Sequence, residues 1–407
     1  MERLDAIVKG INVPVIYEKS SNLPIVYLKL VFKVAGVGQE SVAGLAKLSA
    51  ALLNEGTKKL GVNEFSSKLE IRAIDINAEC GFETFSIEIN CLKEHFDFAQ
   101  NMLKDLLKDP NLTKSTLDKL KTQALGIIAA NKTDFDYQAK IALNKILFDG
   151  SNLAYASIGT KQSLENISLS DVKKFLKENL DISNLFIVLG GDVEPSEVKF
   201  SAILDSLEVG KPRELEPVKT SDICKKEFIK EQTEQAYIYF GAPFNVKKDE
   251  RYLANVSAFI LGSSGFGSRL MEEIRVKRGL AYSVYAKNNI SLSHSSFEGY
   301  MQTKNESKDE AIELIISEFD KFIKDGVTQK ELDAAKNFLL GSERLSKETL
   351  FKRLAIAQNE YYSGFELGEF DANLKKIKEL KLDDLNKFIK AHTEILKQSF
   401  AVIYNEI

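Results

Sequence analysis

Short runs of alternating apolar and polar residues recur along the chain, in groups separated by longer stretches with helical spacing. LPIVYLKLVF (23–32) and QAYIYFGAPF (235–244) read as strands. Each leads through a short polar connection into an apolar run at helical spacing, SVAGLAKLSAALLNEG and RYLANVSAFILGSSG respectively. Long alternating segments follow, IRAIDINAECGFETFSIEINCL in the first case and LAYSVYAKNNISLSHSSFEGYMQT in the second. A long amphipathic helix closes each series, HFDFAQNMLKDLLKD or KDEAIELIISEFDKFIKD.

The resemblance between the two series continues downstream. LTKSTLDKLK (112–121) and VTQKELDAAK (327–336) each place a Thr at a helix N-cap with Leu and Lys in matching positions. ENISLSDVKKFLKENL (165–180) matches KELKLDDLNKFIKAHT (378–393), and each runs into a short apolar strand, NLFIVLGG (184–191) or SFAVIYNE (399–406). The order is the same and the offset is roughly 210 positions in both, which points to duplication. SLEVGKPRELEPVKTSDICKK, with Gly210, Pro212 and Pro217 among alternating charges, has the composition of a linker. The expectation is an α+β chain of two homologous halves, residues 1–208 and 233–407, joined by a 209–232 linker. Each half is expected to be an antiparallel sheet with helices packed on one face.

Composition narrows the classes of function. The 407 residues are 44% hydrophobic and 28% charged, with a net charge of −4 and no basic stripe, so nucleic acid is not an expected partner. No apolar run reaches the roughly 20 residues needed to span a bilayer. The start MERLDAIVKGINVPVIYEKSS shows no charged segment followed by an apolar core. A cytoplasmic location is therefore expected, with the periplasm the alternative if a leader was removed ahead of Met1. The three cysteines, Cys80, Cys91 and Cys224, form no CxxC. Cys80 and Cys91 lie in alternating segments where they could face each other across a hairpin, and burial as small apolar groups is the expected role.

Candidate chemistry is sparse. Gly262-Ser-Ser-Gly265-Phe-Gly267-Ser precedes a helix, but its GxxGxG spacing is neither a dinucleotide fingerprint nor a P-loop, so a tight turn is expected. His95, His294 and His392 stand far apart without a helical partner, and surface or capping roles are expected. No G-x-S-x-G elbow supports a serine nucleophile. In residues 268–277, Leu270, Met271 and Ile274 form a core-facing helical stripe, and Arg275, Lys277 and Arg278 complement the helix dipole at its end. Gly279 suits a left-handed cap. LAYSVYA then alternates as a strand with Tyr282, Val284 and Ala286 on one face. Arg275 and Tyr282 flank this corner and can converge on one point.

LGSSGFGSRLMEEIRVKRGLAYSVYA resembles the C-terminal signature of the M16 zinc peptidases, the family of pitrilysin, insulin-degrading enzyme and mitochondrial processing peptidase. The duplicated halves, QAYIYFG, GVTQKELDAAK and FIVLGGDV fall in that family's order over nearly the whole chain. The resemblance implies a clamshell half of the metallohydrolase type found in subfamily M16B. The family's inverted zinc motif HxxEH corresponds here to GLAKLSAALLNEGT (44–57). Lys47 stands at the first His, Ala50 at the general-base Glu and Ala51 at the second His. The neighbourhood of the distal glutamate ligand is ALGIIAANK (124–132), which holds no acidic residue.

Catalytic zinc needs three protein ligands, and its bound water a carboxylate base. An ammonium and two methyl groups replace neither, so no metal or other cofactor is expected in this chain. The family's Arg/Tyr pair, seven residues apart, binds substrate backbone near the scissile bond, and Arg275 and Tyr282 match it in identity and spacing. The resemblance thus implies a non-catalytic, substrate-binding subunit of a heterodimeric zinc metallopeptidase, inactive alone, with zinc and HxxEH on a partner chain and a peptide as substrate. A structural or assembly pseudopeptidase, like the core subunits of respiratory complex III, is the alternative. An independent enzyme with its own metal or nucleophile is the third reading, which metal analysis of the purified chain decides.

Overall fold

The computed structural model describes residues Met1–Glu406. The chain divides into two compact units. The first comprises residues 1–129, 156–215 and 346–368, and the second 130–155, 216–345 and the chain from Glu369 onward.

The first unit holds β1 (Glu2–Val8), β2 (Ile11–Lys19), β3 (Ile25–Lys33), β4 (Asp75–Cys80), β5 (Thr84–Leu92) and β6 (Leu185–Gly191). They form one sheet in the order β1-β2-β6-β3-β5-β4. The second unit holds β7 (Lys226–Lys230), β8 (Gln235–Pro243), β9 (Ala281–Ile290), β10 (Ser295–Lys304) and β11 (Ser399–Tyr404), in the order β7-β11-β8-β10-β9. Without β1, the first order maps strand for strand onto the second, so the duplication read from the sequence extends to topology. The sheets are antiparallel except for one pair in each, β2 with β6 and β7 with β11. β7 lies within the stretch whose composition reads as linker. The fold is α+β, with two halves as expected.

Alternation along the strands explains the main layer. Leu28, Leu30 and Phe32 of β3 turn into a core with Leu45, Leu52 and Leu103. The helix Phe96–Lys108 buries Phe96, Ala99, Met102, Leu103 and Leu106 at helical spacing. In the second unit, Phe240 of β8 meets Phe319 edge to face and Phe400 of β11, with ring centroids 5.9 and 5.8 Å apart. Capping boxes at Ser168/Asp171 and Thr328/Glu331 start one helix in each half.

One further helix lies on the opposite face of each sheet. Leu350–Tyr362 packs Leu350, Leu354 and Ala357 against Ile16, Val31, Phe186 and Val188 of the first sheet. Phe135–Leu147 packs Leu143, Ile146 and Leu147 with Ala401 and Tyr239 of the second. Each of these helices comes from one repeat of the sequence and covers the sheet of the other.

Several local expectations change. Cys80 pairs in register with Phe85, and Cys91 with Val26, so the two thiols do not oppose one another. Both are buried, and burial pushes each up to about 12. His392 is not a surface residue: it is buried between Phe244 and Phe388, with Nδ1 2.7 Å from Glu394 Oε1. His95 occupies the N-cap position of the helix that begins at Phe96 without a side-chain capping bond, and His294 lies in the β9–β10 hairpin with Nδ1 2.9 Å from Ser293 Oγ. No helix of the described residues is long and apolar enough to cross a membrane.

Candidate functional site

The corner between residues 259 and 286 is built by glycines and wide helical turns. Phe259–Ser263 and Met271–Val276 adopt π-helical turns, where residues 268–277 read as an ordinary helix. In the second, the Lys277 N–H donates to the Glu272 carbonyl five residues back, at 3.0 Å. Leu270, Met271 and Ile274 are buried as the stripe requires. Gly279, at φ +65°, ends the helix: its N–H donates to the Arg275 carbonyl at 2.9 Å, and the Leu280 N–H to that of Ile274 at 3.0 Å.

Three of the four cations on this helix are committed to carboxylates. Arg269 grips Glu331 with two N–H groups at 2.5 and 2.9 Å and also donates to the Gly326 carbonyl. Burial raises the Glu331 carboxyl, yet hydrogen bonds from Arg269 and Thr328 hold it below the ordinary value. Lys277 and Arg278 both engage Glu273, and their hydrogen bonds lower its carboxyl. Arg275 has no carboxylate partner among the described residues. Its guanidinium instead lies 4.8 Å from the ring centroid of Tyr282 and 4.8 Å from that of Phe266.

The structure brings Arg275 and Tyr282 together, but not through simple alternation. Val284 and Ala286 of β9 are buried as expected, whereas Tyr282 is 83% exposed. The cause is a register shift opposite Met301 and Thr303: Val284 pairs with Met301 and Ala281 with Thr303, so β9 carries one extra residue. This bulge reverses the facing of the strand's first residues and turns the Tyr282 ring outward onto Arg275. The Thr303 hydroxyl locks the strand entry by donating to the Leu280 carbonyl at 2.6 Å. The Tyr282 hydroxyl has no partner among the described residues. An Arg fork and a phenol side by side on the surface form a donor set suited to peptide carbonyl oxygens.

Phe266 is the site residue that sequence reasoning misses. It is 74% exposed, between Gly265 and Gly267 at φ +68° and +99°. The available signal was an aromatic residue held between two glycines at a turn tip.

In the first unit, Leu45–Leu53 and Lys114–Ala130 bring the degenerate motif and the 124–132 neighbourhood to one place. Lys47, Leu48 and Ala51 line a cavity of about 190 Å³ together with Leu120, Ala124, Ile127 and Leu164. Ala50 is buried in the core beside it. Ile127 is 52% exposed at this wall, a residue whose place the sequence left open. The wall offers the Lys47 ammonium, the Gln123 amide and hydrocarbon, with no imidazole, thiolate or carboxylate. Among the described residues no group of three or more His, Cys, Asp and Glu side chains is arranged to hold a metal ion. The residues here do not fit zinc.

The Insulinase (Peptidase family M16) model matches residues 14–161, and the Peptidase M16 inactive domain model matches residues 166–339. A protein of Helicobacter pylori named non-peptidase homolog YmxG is 42% identical over 400 residues, covering 97% of this chain and 92% of its own. Two solved structures share the fold. The peptidase M16 inactive domain from Pseudomonas fluorescens superposes with a TM-score of 0.91 at 22% identity, over 100% of this chain and 98% of that one. A chain of Complex III2 from Candida albicans superposes with a TM-score of 0.77 at 17% identity, over 99% and 95%. With its duplicated sheets, its Arg/Tyr corner and a relative alike along nearly its whole length, the chain belongs to the M16 peptidase family.

Proposed function

We propose that this chain is a non-catalytic, substrate-binding subunit of a two-chain M16-type zinc metallopeptidase. It supplies Arg275 and Tyr282 to the active site of an HxxEH-bearing partner, and zinc resides on that partner. The observation that carries the reading is an asymmetry between two sites. The surface that would hold zinc offers hydrocarbon, one ammonium and one amide, while Arg275 and Tyr282 stand together with the tyrosine exposed. A close relative bearing the name non-peptidase homolog agrees with a chain that hydrolyses nothing alone.

In this role Arg275 grips a backbone carbonyl of an extended peptide through its N–H edges, which leaves its contacts to the Phe266 and Tyr282 rings in place. Tyr282 donates its hydroxyl to the carbonyl oxygen that gains charge as the peptide bond is attacked.

The test is peptide hydrolysis by this chain co-expressed with an HxxEH-bearing M16 subunit. The pair is active and either chain alone is not. Tyr282→Phe lowers kcat/KM by about a hundredfold, the usual loss of one oxyanion donor, and Arg275→Ala by at least as much. Hydrolysis unchanged by Arg275→Ala overturns the assignment. Recovery of the native chain in a stable assembly without any zinc peptidase supports the structural role instead.

A further inference from the structure

We propose that Phe266 is a third residue of the Arg275/Tyr282 site, a positioning residue that holds the Arg275 guanidinium edge-on to the ligand. The inference rests on the reading of Arg275 and Tyr282 as a peptide-binding pair, and adds a residue to it.

Three observations carry it. The Arg275 guanidinium carbon is equidistant from two rings, 4.8 Å from the centroid of Phe266 and 4.8 Å from that of Tyr282. A long side chain beside a helix end would otherwise sample many rotamers, and a cation over two aromatic faces is held by both. Phe266 has no core to fill: it is 74% exposed. An isolated exposed phenylalanine needs no explanation, but this ring is spent on one cation. The turn is also shaped to place it. Gly265 and Gly267 both have positive φ, and a Cβ at either would meet nothing within 4 Å, so backbone conformation rather than space demands glycine there. Ser268 fixes the base of the turn, its hydroxyl donating to the Gly265 carbonyl at 2.9 Å.

A guanidinium held against two rings still offers its N–H edges. Those edges match the in-plane geometry of carbonyl oxygens, so the clamp selects backbone acceptors over a stacking ligand. Without Phe266 the guanidinium loses one of its two rings, and more of its order must come from the peptide itself.

The experiment uses the full chain in two measurements. In the isolated chain, the Arg275 Nε–Hε resonance, assigned by its loss in Arg275→Lys, reports the shielding of stacked rings. Phe266→Ala moves it toward the position of a free arginine, and Phe266→Tyr keeps it in place. In the complex with the HxxEH-bearing partner, Phe266→Ala raises KM for peptide roughly twofold to fivefold, the equivalent of one exposed cation–π contact. There kcat changes less, and Phe266→Tyr restores KM. Thermal unfolding of both variants like the parent shows that the turn still folds. An unmoved Nε–Hε resonance in Phe266→Ala overturns the positioning role. A moved resonance with hydrolysis indifferent to Arg275→Ala leaves the stacking intact and defeats the peptide-binding reading on which its purpose rests.

Discussion

Glu40 titrates near neutral pH, at about 7. Its carboxylate serves the N-terminus of the Leu45–Leu53 helix, accepting from the Gly44 and Ala46 N–H groups at 3.2 and 2.8 Å. Gly44 itself supplies no side-chain cap. The helix end and the nearby Lys47 ammonium favour the charged form, but burial outweighs both and pushes the carboxyl from 4.5 up to about 7. A folded value above the unfolded one means that the native state holds the proton longer. Stability is therefore greatest below pH 4.5 for this group, falls as pH rises, and has lost about 3 kcal/mol of its contribution above pH 7. Glu40→Gln keeps an acceptor for the helix end and cannot ionise. Denaturant unfolding of this variant is expected to lose the part of the pH slope between 4.5 and 7 that the parent shows, and to be more stable than the parent at pH 8. An unchanged slope would mean that Glu40 is not buried as described.

At the scale of elements, the same corner separates what sequence can and cannot reveal. Arg275 and Tyr282 were legible because identity and spacing are properties of the string, and Gly279 because a left-handed cap has few alternatives. The outward turn of Tyr282 was not legible. It depends on one extra residue in β9 opposite Met301–Thr303, and a bulge leaves the alternation intact on each side while reversing its phase. The π-helical turns were equally hidden, since a helical stripe is satisfied by either winding over six residues. Close packing of these turns on β9 makes Gly262 a sensitive position. A Cβ there would stand 2.6 Å from the Ala286 backbone nitrogen and 2.8 Å from its Cβ. Neither can yield cheaply, because the first belongs to the strand and the second is buried. Gly262→Ala is expected to destabilise the second unit by about 1–3 kcal/mol, read as a lower denaturant midpoint. Gly265→Ala meets no such obstacle and should cost about 1–2 kcal/mol through its positive φ alone. A midpoint unmoved by Gly262→Ala would contradict the packing of Phe259–Ser263 on β9.

For the molecule as a whole, the duplication is written into both sequence and strand order, yet the two halves are not separable pieces of chain. The helices Phe135–Leu147 and Leu350–Tyr362 each lie within one sequence repeat, and nothing in a helical stripe names the sheet it will cover. The first sheet needs residues 346–368: without them Ile16, Val31, Phe186 and Val188 lose their cover. Gly190 is shaped to this contact, since a Cβ there would come within 2.7 Å of Leu354 Cδ1. The second sheet needs residues 130–155, whose Leu147 lies as close over Gly241. Cutting at the junction near residue 215 therefore yields two fragments, each carrying a helix the other requires. Fragment 1–215 alone exposes an apolar sheet face and an orphan amphipathic helix, both hazards for aggregation. It is expected to be insoluble or to lack a cooperative unfolding transition. Co-expressed with 216–407, it should recover as a stoichiometric complex whose transition resembles that of the intact chain, because each fragment restores the other's missing layer. A cooperatively folded, monomeric 1–215 would show that the exchanged helices are dispensable, and that the compact units are not the units of folding.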